Sequence, residues 1–385
     1  MDRLTAPEQR LVRLIQIGLG YSNNFSDLPI LDQMEWAEIA RLADQHDIAA
    51  WLYVALKENG RHNQLPTHVL ESLRTSYLKR SVNYELRRSL LERVLPVLAE
   101  AGIRPILLKG AMLTYTVYPD PICRGMDDLD LWVTENEMPR AQVILESMGY
   151  RLHEKSTRPI GFQKRNRGEV QFVSAKKTDR IIELHWSAFP GEWIARTANV
   201  DEEGVRVRAQ VIKVEKQDAF ILSPEDTVIQ LATHFAVSHQ LSVHWLRALD
   251  DIVLVCQTCP VDWDQVIERA KAWRLANVVY VVLRLTHELT GNPNTGILKR
   301  LEPSLPKRIA LAKLADLPSV VRMRTLSSGS LRFAFLILLV DRLPDAMRLV
   351  GRTFLPEREW LLARYGCAGF GTRLEHLGNA VKGQI

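Results

Sequence analysis

Two hydrophobic periods divide this chain into three regions. Over residues 1–100, apolar positions recur every third or fourth residue, the spacing of one helix face. Trp36, Ile39, Leu42 and Ala43 mark one such stripe. Leu86, Leu90, Val94 and Leu98 mark another inside a charged segment, and predict an amphipathic helix packed on a core. Between residues 101 and 215 the period shortens to two, that of a strand. Ile103–Leu108 is a short apolar run. Leu129, Leu131 and Val133 alternate with Asp128, Asp130 and Trp132, and Ile182, Leu184 and Trp186 alternate with Ile181, Glu183 and His185. Tyr150–His153 predicts a further strand, and Phe162–Arg165 and Glu169–Val173 flank Asn166-Arg167-Gly168 as a hairpin. A helix between them is expected to start from Thr134 or Asn136, with Pro139 favouring Asn136, and to end at Met148-Gly149. Beyond residue 216 the helical period returns. Ser223-Pro224-Glu225-Asp226 orders a cap, a first-turn proline and first-turn acids. Residues 304–380 predict further helices. The expected fold is α+β and helix-rich: a small mixed β-sheet core over 101–215, with helices on one side, flanked by helical regions at 1–100 and 216–385.

The central strands carry the chemistry. Asp128 and Asp130 fall on one strand face while Leu129 and Leu131 anchor the other. Adjacent carboxylates repel unless something positive holds them. A hard divalent cation, Mg²⁺ or Mn²⁺, suits them, because it takes carboxylate oxygens and substrate phosphates as ligands. Glu183 and His185 share a face of the later strand. If the two strands are neighbours, Glu183 completes a trio for one or two metal ions, or acts as the base that accepts a hydroxyl proton. Upstream, Lys109-Gly110 ends the apolar run and a helix follows. Gly110 would let a phosphate approach the backbone at a helix N-terminus. Lys109 would contact phosphate or enter an ion pair. Arg124 would contact phosphate or hold Asp128 by a forked hydrogen bond. Asp127 reads as a loop acid and His185 as a supporting histidine.

Leu108-Lys109-Gly110, Tyr118-Pro119, Arg124 and Asp128-Leu129-Asp130, with Glu183-Leu184-His185-Trp186 at the place of a third acidic strand, resemble a nucleotidyltransferase family of the DNA polymerase beta-like superfamily. That superfamily commonly has Gly-Ser at the glycine turn, where this chain has Gly110-Ala111 preceded by Lys109. The resemblance implies a metal-dependent enzyme that transfers a nucleotidyl group from ATP or another nucleoside triphosphate to an acceptor. Asp128, Asp130 and Glu183 would be catalytic and hold the metal, and Lys109, Gly110 and Arg124 would bind nucleotide. The acceptor could be a small molecule, a peptide or RNA. The alternatives are a catalytically degenerate nucleotide- or peptide-binding scaffold, and a toxin that adds nucleotides to RNA.

Composition narrows these readings only slightly. The 385 residues are 46% hydrophobic and 25% charged, ordinary for a globular protein with more than one domain. A net charge of +5 permits an anionic substrate without identifying nucleic acid. Four cysteines argue against a disulfide framework, and Cys256 and Cys259 read as helix-end residues rather than zinc ligands. Met1-Asp2-Arg3 begins no signal-peptide pattern, and Phe333–Val340 is too short an apolar run to span a bilayer, so a cytoplasmic location is expected. His234, His239 and His244 do not match a His-x-x-x-His metal pair and read as packing or interhelical hydrogen-bond residues, the alternative being a substrate role for one of them. Asp250 and Asp251 read as a helix-face pair, and Arg322, Arg324 and Arg332 as solvated charges or anion contacts. A basic excess between Arg151 and Arg180, including Lys164, Arg165 and Arg167, is either a solvated face or a patch for an anionic substrate.

Overall fold

The computed structural model describes residues 4–381 except 23–31, 59, 61, 127, 154–167, 175–180, 215–216, 243–244, 292–294 and 325. The fold is α+β and helix-rich, with one seven-stranded mixed sheet between two helical regions. The N-terminal region contains α1 (Ala6–Gly18), α2 (Gln33–Gln45), α3 (Ala49–Glu58) and α4 (Thr67–Glu100). The predicted stripes supply their buried faces: Ile39, Leu42 and Ala43 in α2, and Leu90, Val94 and Leu98 in α4, are buried, whereas Leu86 is exposed. Arg87 of α4 is also buried and donates from Nε to the Met126 carbonyl at 3.3 Å, tying this helix to the segment before the first acidic strand.

The sheet contains β1 (Ile106–Leu107), β2 (Leu129–Trp132), β3 (Tyr150–Leu152), β4 (Glu169–Ser174), β5 (Ile182–His185), β6 (Gln210–Val214) and β7 (Gln217–Ile221), in the order β3-β4-β5-β2-β1-β7-β6. β2 and β5 are parallel, as are β1 and β7; the other neighbours are antiparallel. Two expectations change here. The sheet runs past residue 215, because β7 pairs with β1 inside it. Every residue of β1, β2 and β5 is buried, so helices and loops cover both faces of the sheet centre rather than one side. The alternation in β2 and β5 separates an acidic face from an apolar face, not water from core.

Helix α5 (Lys109–Thr116) follows β1, and α6 (Met138–Ser147) follows β2. Of the two expected caps for α6, Thr134 organises its entry. Glu137 N–H donates to Thr134 Oγ1 at 3.3 Å, and Thr134 N–H donates to Glu137 Oε2 at 2.7 Å, a reciprocal box that Asn136 does not enter. Gly149 closes the helix with φ of 89°, as its left-handed freedom predicts.

Two short helices, α7 (Glu192–Thr197) and α8 (Glu202–Val207), separate β5 from β6. After β7, α9 (Pro224–Thr233) starts as predicted, with Ser223 Oγ accepting the Asp226 N–H. A π-helical turn over His234–Ser238 extends it. Then come α10 (Trp245–Thr258), α11 (Trp263–Ala272), α12 (Ala276–Thr290), α13 (Thr295–Leu301), α14 (Leu305–Leu314), α15 (Leu317–Val321), α16 (Gly329–Leu339), α17 (Leu343–Phe354), α18 (Arg358–Tyr365) and α19 (Phe370–Val381). The terminal regions lock together, since α1 packs on α12 and Arg322 forks onto Glu8 at 2.9 and 3.0 Å. A continuous apolar core runs from Leu11 to Leu349. Among the described residues no helix is long and apolar enough to cross a membrane. Cys256 and Cys259 lie at the C-terminal end of α10, one inside it and one just beyond.

Candidate active site

Strand register builds the acidic centre. On the parallel pair β2–β5, Asp130 lies opposite Glu183 and Trp132 opposite His185. These four share a face, because side chains alternate along each strand. Leu129, Leu131, Ile182 and Leu184 are fully buried and fill the other face. A slip of one residue would drive both carboxylates into that apolar layer, so its burial enforces the pairing. β4 adds Gln171 opposite Glu183 and Glu169 opposite His185. Gln171 Nε2 donates to Glu183 Oε1 at 2.6 Å.

A cation comes from the turn between β1 and α5. Lys109 has φ of 48°, in the left-handed region that costs a residue with a Cβ roughly 1–2 kcal/mol. From there its Nζ reaches Asp130 Oδ1 at 2.7 Å and comes within 3.8 Å of Glu183 Oε2. His185 Nε2 meets the same Asp130 oxygen at 2.8 Å and lies 3.7 Å from Glu183 Oε2. Because a carboxylate only accepts, Nε2 carries the proton in that contact. His185 Nδ1 is 3.3 Å from Glu169 Oε2 without the alignment of a hydrogen bond.

Charge balance follows from this geometry. Burial alone would raise the Asp130 pKa, but Lys109 and His185 outweigh it and hold the carboxyl well below the usual range. Glu183 is pushed up to about 9, first by burial and then by the Asp130 charge, with Lys109 opposing. Burial pulls Lys109 down, yet Asp130, Glu183, Glu169 and Asp128 together hold it above the ordinary lysine value. Asp130 is therefore the carboxylate that the ammonium holds ionised, and Glu183 is the one that burial and the Asp130 charge make harder to ionise.

The donor atoms of Asp130, Glu183 and His185 all lie within 4.8 Å of one another. Two carboxylates and an imidazole that converge in this way fit a divalent cation. The imidazole suits Mn²⁺ better than Mg²⁺, which prefers oxygen alone. Lys109 is the positive group already among these donors.

The sequence-predicted residues distribute unevenly. Asp130 and Glu183 meet. Asp128 is half-buried just before β2, lines the same cavity and adds its charge to Lys109 and Glu183, but it stands outside the converging trio. Gly110 lies in the first turn of α5. A Cβ there would meet Met126 Cγ at 3.2 Å and Arg124 Nη1 at 3.4 Å, so the absent side chain serves close packing. The fork expected between Arg124 and Asp128 forms with Asp251 instead: Nε to Oδ1 at 2.8 Å and Nη2 to Oδ2 at 2.9 Å. Tyr118 also donates to Asp251 Oδ1 at 2.7 Å. Asp251 is thus the anchor of the Arg124 segment, not merely one of a helix-face pair. Asp127, His244 and the basic residues Lys155, Arg158, Lys164, Arg165, Arg167, Lys176, Lys177 and Arg180 lie outside the described residues.

The centre opens into a cavity of about 1100 Å³. Besides the acids, it is lined by His234 and His239, whose rings stand edge to face at 4.3 Å. Burial, then Lys109 and His239, hold His234 well below the usual histidine value and keep it neutral. The sequence pattern favours packing or interhelical hydrogen bonds for this pair over a substrate role, and does not single out Gln171 and Glu169. Their i, i+2 spacing on a strand was the available signal. Trp193, Phe333, Leu336, Ile337 and Phe354 supply apolar wall from α7, α16 and α17. A family model described as "Uncharacterised nucleotidyltransferase" matches residues 32–291, which include the whole acidic centre and end before α13. Comparison with curated proteins finds no match.

Proposed function

The chain belongs to that uncharacterised nucleotidyltransferase family, and on this premise we propose a divalent-metal-dependent transfer of a nucleotidyl group from a nucleoside triphosphate to an acceptor held in the same cavity. The observation that carries this reading is the in-register pairing of Asp130 with Glu183, converging with His185 beside the Lys109-Gly110 turn. In the reaction the acceptor oxygen would bond to the α-phosphorus, the bond to the bridging oxygen of the β-phosphate would break, and pyrophosphate would leave. Asp130, Glu183 and His185 would hold the metal ion, with Asp128 reinforcing the negative field. When bound, such an ion neutralises phosphate charge and lowers the pKa of the attacking hydroxyl. Lys109 and the first-turn N–H groups of α5 would bind phosphate oxygens, and Gly110 would leave room for them. Glu183, once ionised, would accept the acceptor proton. The work of the protein is mainly positioning and charge neutralisation.

One observation also favours a second reading. Lys109 already balances Asp130, as a binding module without metal would require. Incubation with each α-labelled nucleoside triphosphate, Mn²⁺ or Mg²⁺, and a cell extract separates the two. The transferase reading expects labelled acceptor and released pyrophosphate, both lost in Asp130→Asn. Metal-independent nucleotide binding with no label transfer under any of these conditions would leave the binding module.

A further inference from the structure

We infer that Lys109 is a displaceable internal cation: it holds Asp130 while the centre is free of metal, and swings to the triphosphate when a divalent ion takes its place. This rests on the nucleotidyltransferase reading and adds to it a coupling between two ligands. The first ground is the position of the ammonium. Lys109 Nζ lies 2.7 Å from Asp130 Oδ1 and 3.8 Å from Glu183 Oε2, two of the three residues whose donor atoms converge. Asp130 Oδ1 already accepts from both Lys109 and His185. A divalent ion on this oxygen would crowd the ammonium and repel it in a buried setting where charges are weakly screened.

The second ground is that the four arginines lining the cavity among the described residues have anchors away from the acidic centre. Arg124 forks onto Asp251, Arg247 pairs with Asp47, Arg196 with Glu192, and Arg352 with Glu357. The Lys109 anchor, by contrast, is a carboxylate of the converging trio. Arrival of a metal ion therefore frees this cation and leaves the arginines in place. The third ground is where the freed ammonium can go. Its four-carbon stem pivots from the first residue of α5, next to Gly110, and both residues line the cavity. The freed charge stays beside the N–H groups that would face a phosphate. A purely structural lysine would stay on Asp130 throughout.

The test measures binding, not turnover. Mn²⁺ affinity is read from the free-ion electron paramagnetic resonance signal, and affinity for α,β-methylene-ATP from calorimetry, each alone and together. Lys109→Met should bind Mn²⁺ alone on the order of tenfold more tightly than the wild type, and the analogue in the presence of Mn²⁺ on the order of tenfold more weakly. Unchanged or weaker Mn²⁺ binding in a folded Lys109→Met overturns the exchange, and so does unchanged analogue affinity. A second measurement uses the wild type alone. Acylation of the Lys109 amine, followed by mass spectrometry, should be slow in the metal-free protein, faster with Mn²⁺, and slow again with Mn²⁺ and analogue. Equal labelling in all three states also overturns it. Failure of the wild type to bind Mn²⁺ together with the α,β-methylene analogue of any of the four ribonucleoside triphosphates would refute the transferase reading itself, whereas joint binding without the Lys109 effects would refute the exchange alone.

Discussion

Replacing Asp251 with Ala should destabilise the protein strongly and disturb the Lys109-Gly110 turn, although Asp251 lies on a C-terminal helix and carries no predicted catalytic role. The side chain is buried and accepts two guanidinium bonds from Arg124, at 2.8 and 2.9 Å, and one hydroxyl bond from Tyr118 at 2.7 Å. Truncation leaves a buried guanidinium without its counter-ion. Breaking a buried pair in this way costs about 3–5 kcal/mol, most of it the penalty for the stranded charge. Removing both partners should cost less than the sum, because Arg124→Met/Asp251→Ala strands no charge. Their coupling should be about 2 kcal/mol or more, within the range of directly contacting pairs. Equilibrium urea unfolding of the wild type, both single variants and the double variant gives the cycle. The Arg124 guanidinium also packs against Gly110, so the single variants should weaken nucleotide binding more than the loss of one phosphate contact would. Singles that each cost under about 1 kcal/mol, with coupling near zero, would refute the reasoning, since that is the behaviour of an exposed pair.

If the proposed transfer holds, Asp130→Asn and Glu183→Gln should each lower label transfer by about a hundredfold or more while leaving the far-ultraviolet circular dichroism unchanged, because each removes a carboxylate that would hold the metal ion. Gly110→Val should lower the stability by about 1–3 kcal/mol, since the first added carbon already meets Met126 at 3.2 Å; unchanged melting would show that the turn yields freely. Asp250 is buried, with neither carboxylate oxygen hydrogen-bonded among the described residues, and burial followed by the Asp251 charge raises its pKa well above the usual value. Between the unfolded and folded pKa values the folded state holds the extra proton, so wild-type stability falls as pH rises through that window. Asp250→Asn should remove this fall and be the more stable protein at neutral pH. Parallel melts from pH 4.5 to 8 would check it, and parallel slopes for the two proteins would refute it.

The features that the sequence alone determined are those that depend on neighbours along the chain. Alternation in Leu129–Trp132 and Ile182–His185 assigned acids to one face of each strand, because the pleat repeats every two residues whatever surrounds it. The cap at Ser223 and the left-handed Gly149 were legible for the same reason: both satisfy backbone demands within a few residues. Periodicity assigns faces but not partners. Nothing local says that β5 pairs with β2, in parallel and with Glu183 opposite Asp130; that follows from burying two apolar faces together. It also left β7 outside the expected core, although this strand lies beside β1 within the sheet. Tertiary structure alone decided that Asp130, rather than Asp128, meets Glu183 and His185, because Asp128 lies before the paired strand. It gave Arg124 a partner 127 residues away, where burying a guanidinium demanded a carboxylate that the surrounding sequence did not supply. It likewise brought Lys109 onto Asp130 and helices from beyond residue 328 onto the cavity wall, since such contacts depend on how the chain closes in space.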